Sequence, residues 1–176
     1  MRGSEPKVLI GVAGAGACDT ATERVAEQVG RAIAARGAGL VCGGRGGVMA
    51  AACRGARESG GLTVGILPGD DAGEANPWVA IPIPTGMGEA RNCILVRSAR
   101  CLVAIGGEYG TLSEVAFALK LGVPVVGLRS WELTLPGGGR APIHPADDPE
   151  AAVDLALRLA EGSLPKGSPP KGSPHE

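Results

Sequence analysis

The sequence contains few aromatic residues, with two Trp, one Tyr and one Phe among 176 residues. Apolar residues nevertheless make up 44% of the chain. A buried core would therefore be packed from Ala, Val, Leu and Ile. A chain of this length can bury roughly two thirds of the surface that it exposes when unfolded. The composition predicts one globular domain with a core of small aliphatic side chains.

The sequence also lacks a concentration of positive charge and long apolar runs. The formal net charge is −1 at pH 7 and no basic block occurs, which argues against a nucleic-acid-binding surface. No apolar stretch approaches the ~20 residues that span a bilayer. Residues 1–6 lack the apolar region of a signal peptide. We therefore expect a cytosolic protein that binds neither nucleic acid nor membrane.

Residues that would hold a metal or a common cofactor are scarce. The five cysteines form no CxxC pair, so reduced thiols are expected, and two histidines are too few for a good zinc site. None of the four lysines is well placed to anchor pyridoxal phosphate. The pattern GxxxxGK[ST] is absent, which excludes a P-loop. No metal site and no required cofactor are predicted.

The sequence does contain apolar strand-like runs that alternate with helical patterns. Strands are predicted at residues 7–12, 39–42, 62–67, 78–83, 102–105 and 124–128, whereas residues 131–145 look irregular. Such alternation predicts an α/β fold with a doubly wound, mostly parallel sheet in a single domain, residues 1–161. Residues 162–176 repeat Pro-Lys-Gly-Ser-Pro and are predicted to be a disordered tail.

Three helix starts carry local signals. Thr20 with Glu23, and Thr111 with Glu114, have the spacing of a capping box. Pro149 follows an Asp and opens a last helix to about residue 161. A further helix is predicted over residues 87–99.

Two glycine-rich turns follow predicted strands. We call residues 43–47 (GGRGG) the first glycine turn and residues 106–110 (GGEYG) the second glycine turn. A strand, a glycine turn and a helix in this order present free N–H groups and the positive helix end to an anion, most often a phosphate. Turn geometry alone is the alternative explanation for the glycines. The predicted phosphate-binding residues are Gly14, Gly16, Gly43, Gly44, Arg45, Gly46, Gly47, Gly106, Gly107, Tyr109, Gly110 and Thr111.

The start of the chain does not match a dinucleotide site. Gly14 and Gly16 begin a GxGxxG pattern, but Asp19 occupies the third glycine position. The second strand ends in Cys42, where an acidic residue would be needed for the ribose. NAD binding is therefore not predicted. Gly14 and Gly16 instead allow a ligand to approach the backbone closely.

Arg91 lies on the apolar stripe of its predicted helix, with Leu95, whereas Arg97 lies on the opposite side. Arg91 should therefore point into the crevice at the ends of the strands, unless its stem packs while its head reaches water. Arg45, in the first glycine turn, either grips an anion or lies in solvent.

Together, GGRGGVM, GGEYGTLSE and the Met-x-x-x-Arg of residues 87–91 resemble the motifs of the LOG-type Rossmann-like family, often mislabelled "lysine decarboxylase". The resemblance covers roughly residues 7–128. The first turn is one residue shorter than the LOG pattern, and Gly106 and Glu108 replace a proline and a glycine. These departures, with the string ARNCILVRSA, are closer to the sister branch that includes the molybdenum-cofactor carrier protein.

The resemblance implies a Rossmann-like fold, a homodimer or homotetramer, and a bound nucleotide or molybdopterin-type ligand. The leading expectation is a binding protein for a phosphate-bearing nucleotide or pterin. The alternative is a LOG-like phosphoribohydrolase that releases the base of a nucleoside 5′-monophosphate. The key polar pair of LOG enzymes matches Arg91 and Glu114, which would be the catalytic residues. Glu114 could equally cap its helix through Thr111.

Overall fold

The computed structural model describes residues 8–162, so the predicted tail from residue 163 onward lies outside the described residues. The described residues form seven strands and five α-helices, with two short 3₁₀ helices at Ala72–Glu74 and Gly88–Arg91. The strands are β1 (Leu9–Gly14), β2 (Gly39–Cys42), β3 (Thr63–Leu67), β4 (Ile81–Pro84), β5 (Cys101–Ile105), β6 (Val125–Leu128) and β7 (Ile143–Pro145). The helices are α1 (Thr20–Ala35), α2 (Val48–Glu58), α3 (Asn92–Ser98), α4 (Tyr109–Leu121) and α5 (Pro149–Gly162).

The strands form one sheet in the order β4-β3-β2-β1-β5-β6-β7. Every neighbouring pair in this sheet is parallel. The chain first builds outward from β1 to β4 and then returns to β1 and builds outward on its other side. The switch in strand order therefore lies between β1 and β5, where Gly14 pairs with Ile105. The predicted doubly wound Rossmann-like fold is confirmed.

Two apolar layers cover the sheet. On one face, α1, α2 and α5 pack against side chains such as Ile10, Val12 and Val103. On the other face, α3 and α4 pack against Ala13 and Leu102. Successive residues of β1 and β5 thus contribute to opposite layers, as the period of a strand requires. The aliphatic core that the composition predicts is confirmed.

Helices α1 and α2 approach each other closely because glycines lie where they cross. A Cβ atom on Gly30 would overlap the backbone of Ala52, and one on Gly55 would overlap the backbone of Glu27. The contact thus depends on the missing side chains. This fixes the position of α2, whose first residues adjoin the glycine turns.

Several local predictions are wrong in detail. Asp19, not Thr20, caps α1, because its carboxylate accepts a hydrogen bond from the Thr22 N–H at 2.7 Å. Helix α4 begins at Tyr109, two residues before the predicted start. Thr111 therefore lies inside the first turn, and the predicted capping box of Thr111 and Glu114 does not form.

Two segments also differ from prediction in type or position. The segment 131–145, predicted to be irregular, contains β7, and the predicted helix 87–99 is a 3₁₀ turn followed by the shorter α3. In addition, β4 begins at Ile81 and not at residue 78.

The edge strands of the sheet both contain proline. Pro82 and Pro84 lie in β4 at one edge, and Pro145 lies in β7 at the other. Proline lacks a backbone N–H and is tolerated in parallel sheets mainly at edges. None of the described helices combines the length and the hydropathy needed to cross a membrane.

Candidate functional site

A cleft of about 330 Å³ opens at the carboxyl end of the sheet, beside the switch between β1 and β5. Open parallel sheets bind their ligands at such points. The cleft contains seven of the residues predicted from sequence. The lining residues are Gly14, Ala15, Gly16, Arg45, Met49, Pro68, Glu89, Arg91, Asn92, Glu108, Gly110, Thr111 and Glu114.

The glycines of the first glycine turn lie behind the cleft wall and do not line it. A Cβ on Gly43 would overlap the Arg91 guanidinium, and one on Gly46 would lie 3.0 Å from the Gly16 carbonyl oxygen. Gly44 and Gly47 adopt left-handed φ values of 72° and 57°. These four glycines let the turn pack against its neighbours.

The turn of residues 14–17 packs directly against the start of α2. The Val48 N–H donates a hydrogen bond to the Ala15 carbonyl at 3.1 Å. A Cβ on Gly14 would overlap the Val48 side chain. Gly14 and Gly16 are consequently held at the cleft surface, where they were predicted to allow close approach of a ligand.

Arg45 lines the cleft but already has a partner. Its Nη1 lies 2.8 Å from Glu74 Oε2, and both side chains are about half exposed. Of the two sequence hypotheses for Arg45, the structure favours the one in which the side chain lies in solvent, because Arg45 is exposed and its partner Glu74 is also at the surface. A surface pair of this kind contributes little to stability and can exchange partners.

The second glycine turn separates the cleft from a neighbouring cavity. Gly110 and Thr111 line the cleft, whereas Gly106 and Gly107 line a cavity on the β6 side. Tyr109 is 83% exposed and lines neither. These residues therefore do not all surround one point. Only Gly110 and Thr111, at the start of α4, remain candidates for binding a phosphate in the cleft.

The first turn of α4 has no side-chain cap. Glu108 occupies the N-cap position but makes no hydrogen bond to the helix through its carboxylate. The first N–H groups of a helix have no acceptor within it, and here they belong to Tyr109, Gly110 and Thr111. These amides, at the positive end of a helix dipole, are suited to hold an anion.

Arg91 and Glu114 face each other at the base of the cleft. Each residue is only 6% exposed, and Arg91 Nη1 lies 3.7 Å from Glu114 Oε1. The predicted inward orientation of Arg91 is confirmed. Arg97 is exposed, as the helical pattern predicts. Two oppositely charged groups thus meet in a position where both are largely removed from water.

Burial dominates the ionisation of Glu114. It raises the pKa of that carboxyl to about 7, even though the Arg91 guanidinium lowers it, and exposed Glu89 adds a smaller upward contribution. A carboxyl group with a pKa near neutrality can exchange protons at physiological pH. Glu114 can therefore donate or accept a proton at physiological pH, a property that a helix cap does not require.

Several buried polar atoms around the cleft have no hydrogen-bond partner within the described part of the chain. They are Arg91 Nε, Arg91 Nη1, Asn92 Oδ1 and Thr111 Oγ1. Burying such atoms without partners costs about 1–3 kcal/mol each. Their clustering around one cleft makes these atoms the candidate donors and acceptors for a polar ligand.

Asn92 is a cleft residue that the sequence predictions omitted. It is 2% exposed, and its Nδ2 donates a hydrogen bond to Ser113 Oγ at 3.1 Å. Its spacing to Val96 and Ala99, both fully buried, is that of one helix face. This spacing could have identified Asn92 from sequence, because it places a polar residue on the buried stripe of the helix. No comparable signal pointed to Pro68 or Met49.

Metal-binding and disulfide chemistry are not evident in the described residues. None of their His, Cys, Asp and Glu side chains group in threes around a point that could hold a metal ion. All five cysteines are free. Cys42 and Cys53 lie with their sulfur atoms 3.5 Å apart inside the core.

The parallel sheet, its switch point and the cleft above it define a Rossmann-like α/β protein. Within that class, the chain belongs to the SLOG cluster4 family, whose model matches residues 7–153. The resemblance to LOG-type proteins near the molybdenum-cofactor carrier branch is thereby confirmed.

Similar proteins include both a relative known from sequence and solved structures. An uncharacterized protein of Archaeoglobus fulgidus is 50% identical over 120 residues, 68% of this chain and 79% of that protein. The molybdenum cofactor binding protein of Rippkaea orientalis is 38% identical with a TM-score of 0.81, covering 89% of this chain and 99% of that one. The molybdenum cofactor (Moco) carrier protein of Chlamydomonas reinhardtii is 38% identical with a TM-score of 0.77, covering 90% and 100%.

Proposed function

We propose that this protein is a cytoplasmic binding protein for a phosphate-bearing pterin or nucleotide, with a molybdopterin-type ligand as the preferred candidate. The observation that carries the proposal is the buried Arg91 guanidinium beside the cleft, whose Nε and Nη1 have no hydrogen-bond partner among residues 8–162. The similarity to the molybdenum cofactor binding protein of R. orientalis and to the Moco carrier protein of C. reinhardtii supports the ligand class. The five free cysteines suit a reducing compartment.

The cleft residues fit the anionic end of such a ligand. The amides at the start of α4 and the Thr111 hydroxyl can donate hydrogen bonds to phosphate oxygens. The Arg91 fork can donate two more with fixed geometry. Glu89 and Glu108 also line the cleft, but both are exposed, so water screens their repulsion of an anion.

Binding can be measured by calorimetry with molybdopterin, guanosine 5′-monophosphate (GMP) and inorganic phosphate as separate probes. Arg91→Ala should weaken binding of inorganic phosphate, and of every probe whose phosphate occupies the cleft, by at least about tenfold, because a charge-assisted hydrogen bond contributes about 1.5–3 kcal/mol. Arg97→Ala is the matched control, since Arg97 lies on the exposed face of the same helix. Equal losses in both variants, or no binding by the unaltered protein, would contradict the proposal.

A second function is supported by Glu114. A carboxyl group buried beside an arginine, with a pKa of about 7, suits hydrolysis of the N-glycosidic bond of a nucleoside 5′-monophosphate. Its carboxylate would stabilise the oxocarbenium-like ribose and orient the attacking water, while Arg91 held oxygens of the substrate. This is the phosphoribohydrolase alternative.

Turnover separates the two functions. The protein is incubated with AMP and GMP, and free base is measured by chromatography. Release that is lost in Glu114→Gln but kept in Glu108→Gln, at the exposed rim of the cleft, would establish the enzyme and contradict a carrier without activity. Binding without release of base would contradict the enzyme.

We further propose that the protein assembles into a homodimer or homotetramer through α4. This helix carries apolar residues beyond those packed against the sheet: Leu112 is half-buried and Ala116 is exposed. A helix that is apolar on more than one face typically packs on both sides. Light scattering should give a mass of two or four chains, and Ala116→Glu should lower it.

A further inference from the structure

Half of the aromatic residues in this chain lie together at the surface. The sequence contains two Trp, one Tyr and one Phe. The rings of Tyr109 and Trp131 stack with centroids 6.3 Å apart and planes inclined by 30°. Tyr109 is 83% exposed, so its ring does not serve the core. We call this pair the aromatic platform.

A cavity adjoins the aromatic platform on the side of the second glycine turn that faces β6. Its volume is about 420 Å³, and Gly106, Gly107, Arg129 and Trp131 contribute to its lining. Pockets for small ligands typically measure about 300–1,000 Å³. A Cβ on Gly106 would meet no atom within 4 Å, so the backbone is open to a flat group at this point.

The loop that carries Trp131 is held in place by a hydrogen bond and by the stacking of the Trp131 ring on Tyr109. Ser130 Oγ donates a hydrogen bond to the Gly106 carbonyl at 2.7 Å, which joins the loop to the second glycine turn. Arg129 adopts a left-handed φ of 49°, unusual for a residue other than glycine. The indole is therefore positioned by the fold before any ligand arrives.

The indole also presents an unused donor. Trp131 Nε1 is buried and has no hydrogen-bond partner among the described residues. Indole N–H groups usually find an acceptor when they are buried. A ligand at this point would need a flat π-face for the rings, and an acceptor atom that reached the indole edge would satisfy this donor. Heteroaromatic rings with ring nitrogens or carbonyl oxygens, such as pterins and purines, have both features.

We infer that the aromatic platform binds a planar heteroaromatic ring. The inference extends the proposed function, because the cleft and this cavity lie on the two sides of one short turn: Gly110 and Thr111 line the cleft, and Gly106 and Gly107 line the cavity. The ring belongs either to the ligand whose phosphate occupies the cleft or to a second molecule. In both cases the aromatic platform would contact the same kind of chemical group, a flat heteroaromatic ring.

The experiment uses the full chain with Trp78→Phe, which leaves Trp131 as its single tryptophan. Quenching of Trp131 fluorescence is titrated with pterin, guanosine, GMP and inorganic phosphate. Pterin or guanosine should quench. Tyr109→Ala should weaken ring binding about tenfold, as expected for loss of one stacking partner, and Tyr109→Phe should retain it. Binding of inorganic phosphate, followed by calorimetry, should be unchanged in Trp131→Phe, because Trp131 does not line the cleft.

The variants separate the two sources of the ring and the two proposals. If Arg91→Ala weakens GMP but not guanosine, one ligand spans the turn; if it weakens neither while Tyr109→Ala weakens both, the ring is a separate molecule. Absence of quenching by every ring, or ring affinities measured by calorimetry that are unchanged in both Tyr109→Ala and Trp131→Phe, would overturn the inference. In that case, phosphate binding that still depends on Arg91 would leave the proposed function intact.

Discussion

At the scale of single residues, Arg91 and Glu114 form a buried pair of opposite charges in the cleft lining. Both are 6% exposed, and their closest charged atoms are 3.7 Å apart, which is longer than a good charge-assisted hydrogen bond. The free-energy penalty for removing the Glu114 carboxylate from water therefore exceeds its attraction to Arg91, and the pKa of Glu114 rises. The arginine retains unused donors for a ligand as a result.

Glu114 should make stability depend on pH. The pKa is about 7 in the folded protein and 4.5 ordinarily, so the folded state binds more protons between these values. Stability from this group is fully present below pH 4.5 and is lost as the pH rises through 7. Glu114→Gln, which mimics the protonated form, should be more stable than the unaltered protein at pH 8 by up to about 3 kcal/mol. The two proteins should be equally stable near pH 4.5.

The measurement is urea unfolding of both proteins at several pH values. Glu108→Gln serves as the control, because the Glu108 side chain is exposed at the cleft rim. If the stability difference between Glu114→Gln and the unaltered protein did not grow from pH 5 to pH 8, Glu114 would be ionised throughout and its burial would have been compensated in another way.

Gly43→Ala should impair binding while leaving the fold intact. The nearest atoms that the new Cβ would meet all belong to the Arg91 guanidinium, the mobile end of a long side chain. We expect the guanidinium to shift and the affinity for GMP, measured by calorimetry, to fall about tenfold, as for loss of one charge-assisted hydrogen bond. Gly137→Ala, which would meet no atom within 4 Å, should bind normally. Unchanged affinity in Gly43→Ala would show that Arg91 does not contact the ligand.

At the scale of helices and strands, the sequence predicted most elements, because the apolar runs and helical periods are strong local signals. The sequence-based predictions failed where tertiary contacts determine the local structure. Thr111 and Glu114 match a capping box, but α4 starts at Tyr109 and Glu114 turns toward Arg91 instead. Strand β7 contains only three residues and lacks an apolar run of its own. Its pairing with β6 cannot be read from local sequence.

The candidate site was predictable in part for the same reason. The inward orientation of Arg91 follows from its helical stripe. The division of the second glycine turn between two cavities depends on how β6 and its loop pack beside it. That loop includes Trp131, which no sequence pattern connected to the turn.

The crossing of α1 and α2 gives an element-scale prediction. Gly30→Ala should destabilise the protein by about 1–3 kcal/mol, because the new methyl group would overlap the backbone of α2. In a helix without such a contact, replacing Gly by Ala would stabilise the protein by about 1 kcal/mol. A decrease in the stability of Gly30→Ala would therefore show that the two helices are in close contact at this position. Urea unfolding of Gly162→Ala, in open space at the end of α5, should show no loss. Stabilisation by Gly30→Ala would mean that the helices lie further apart.

At the scale of the whole molecule, the charge distribution leads to a prediction about partners. Proteins that process DNA in Helicobacter pylori and Streptococcus pneumoniae share this fold at 14% and 17% identity, which bears on the fold alone. The net charge here is −1, and nucleic-acid affinity depends largely on neutralising phosphates. No retarded band should form with single-stranded DNA at physiological salt. A retarded band that is abolished by raising the salt would contradict this.

The prolines of the two edge strands have a consequence for how copies of this chain can associate. An open sheet normally risks recruiting a strand from another molecule along its unpaired rim. Here Pro82 and Pro84 on one rim and Pro145 on the other remove donors that such a strand would need. These prolines disfavour the addition of a strand at either edge, and so they oppose lateral growth into continuous intermolecular sheets.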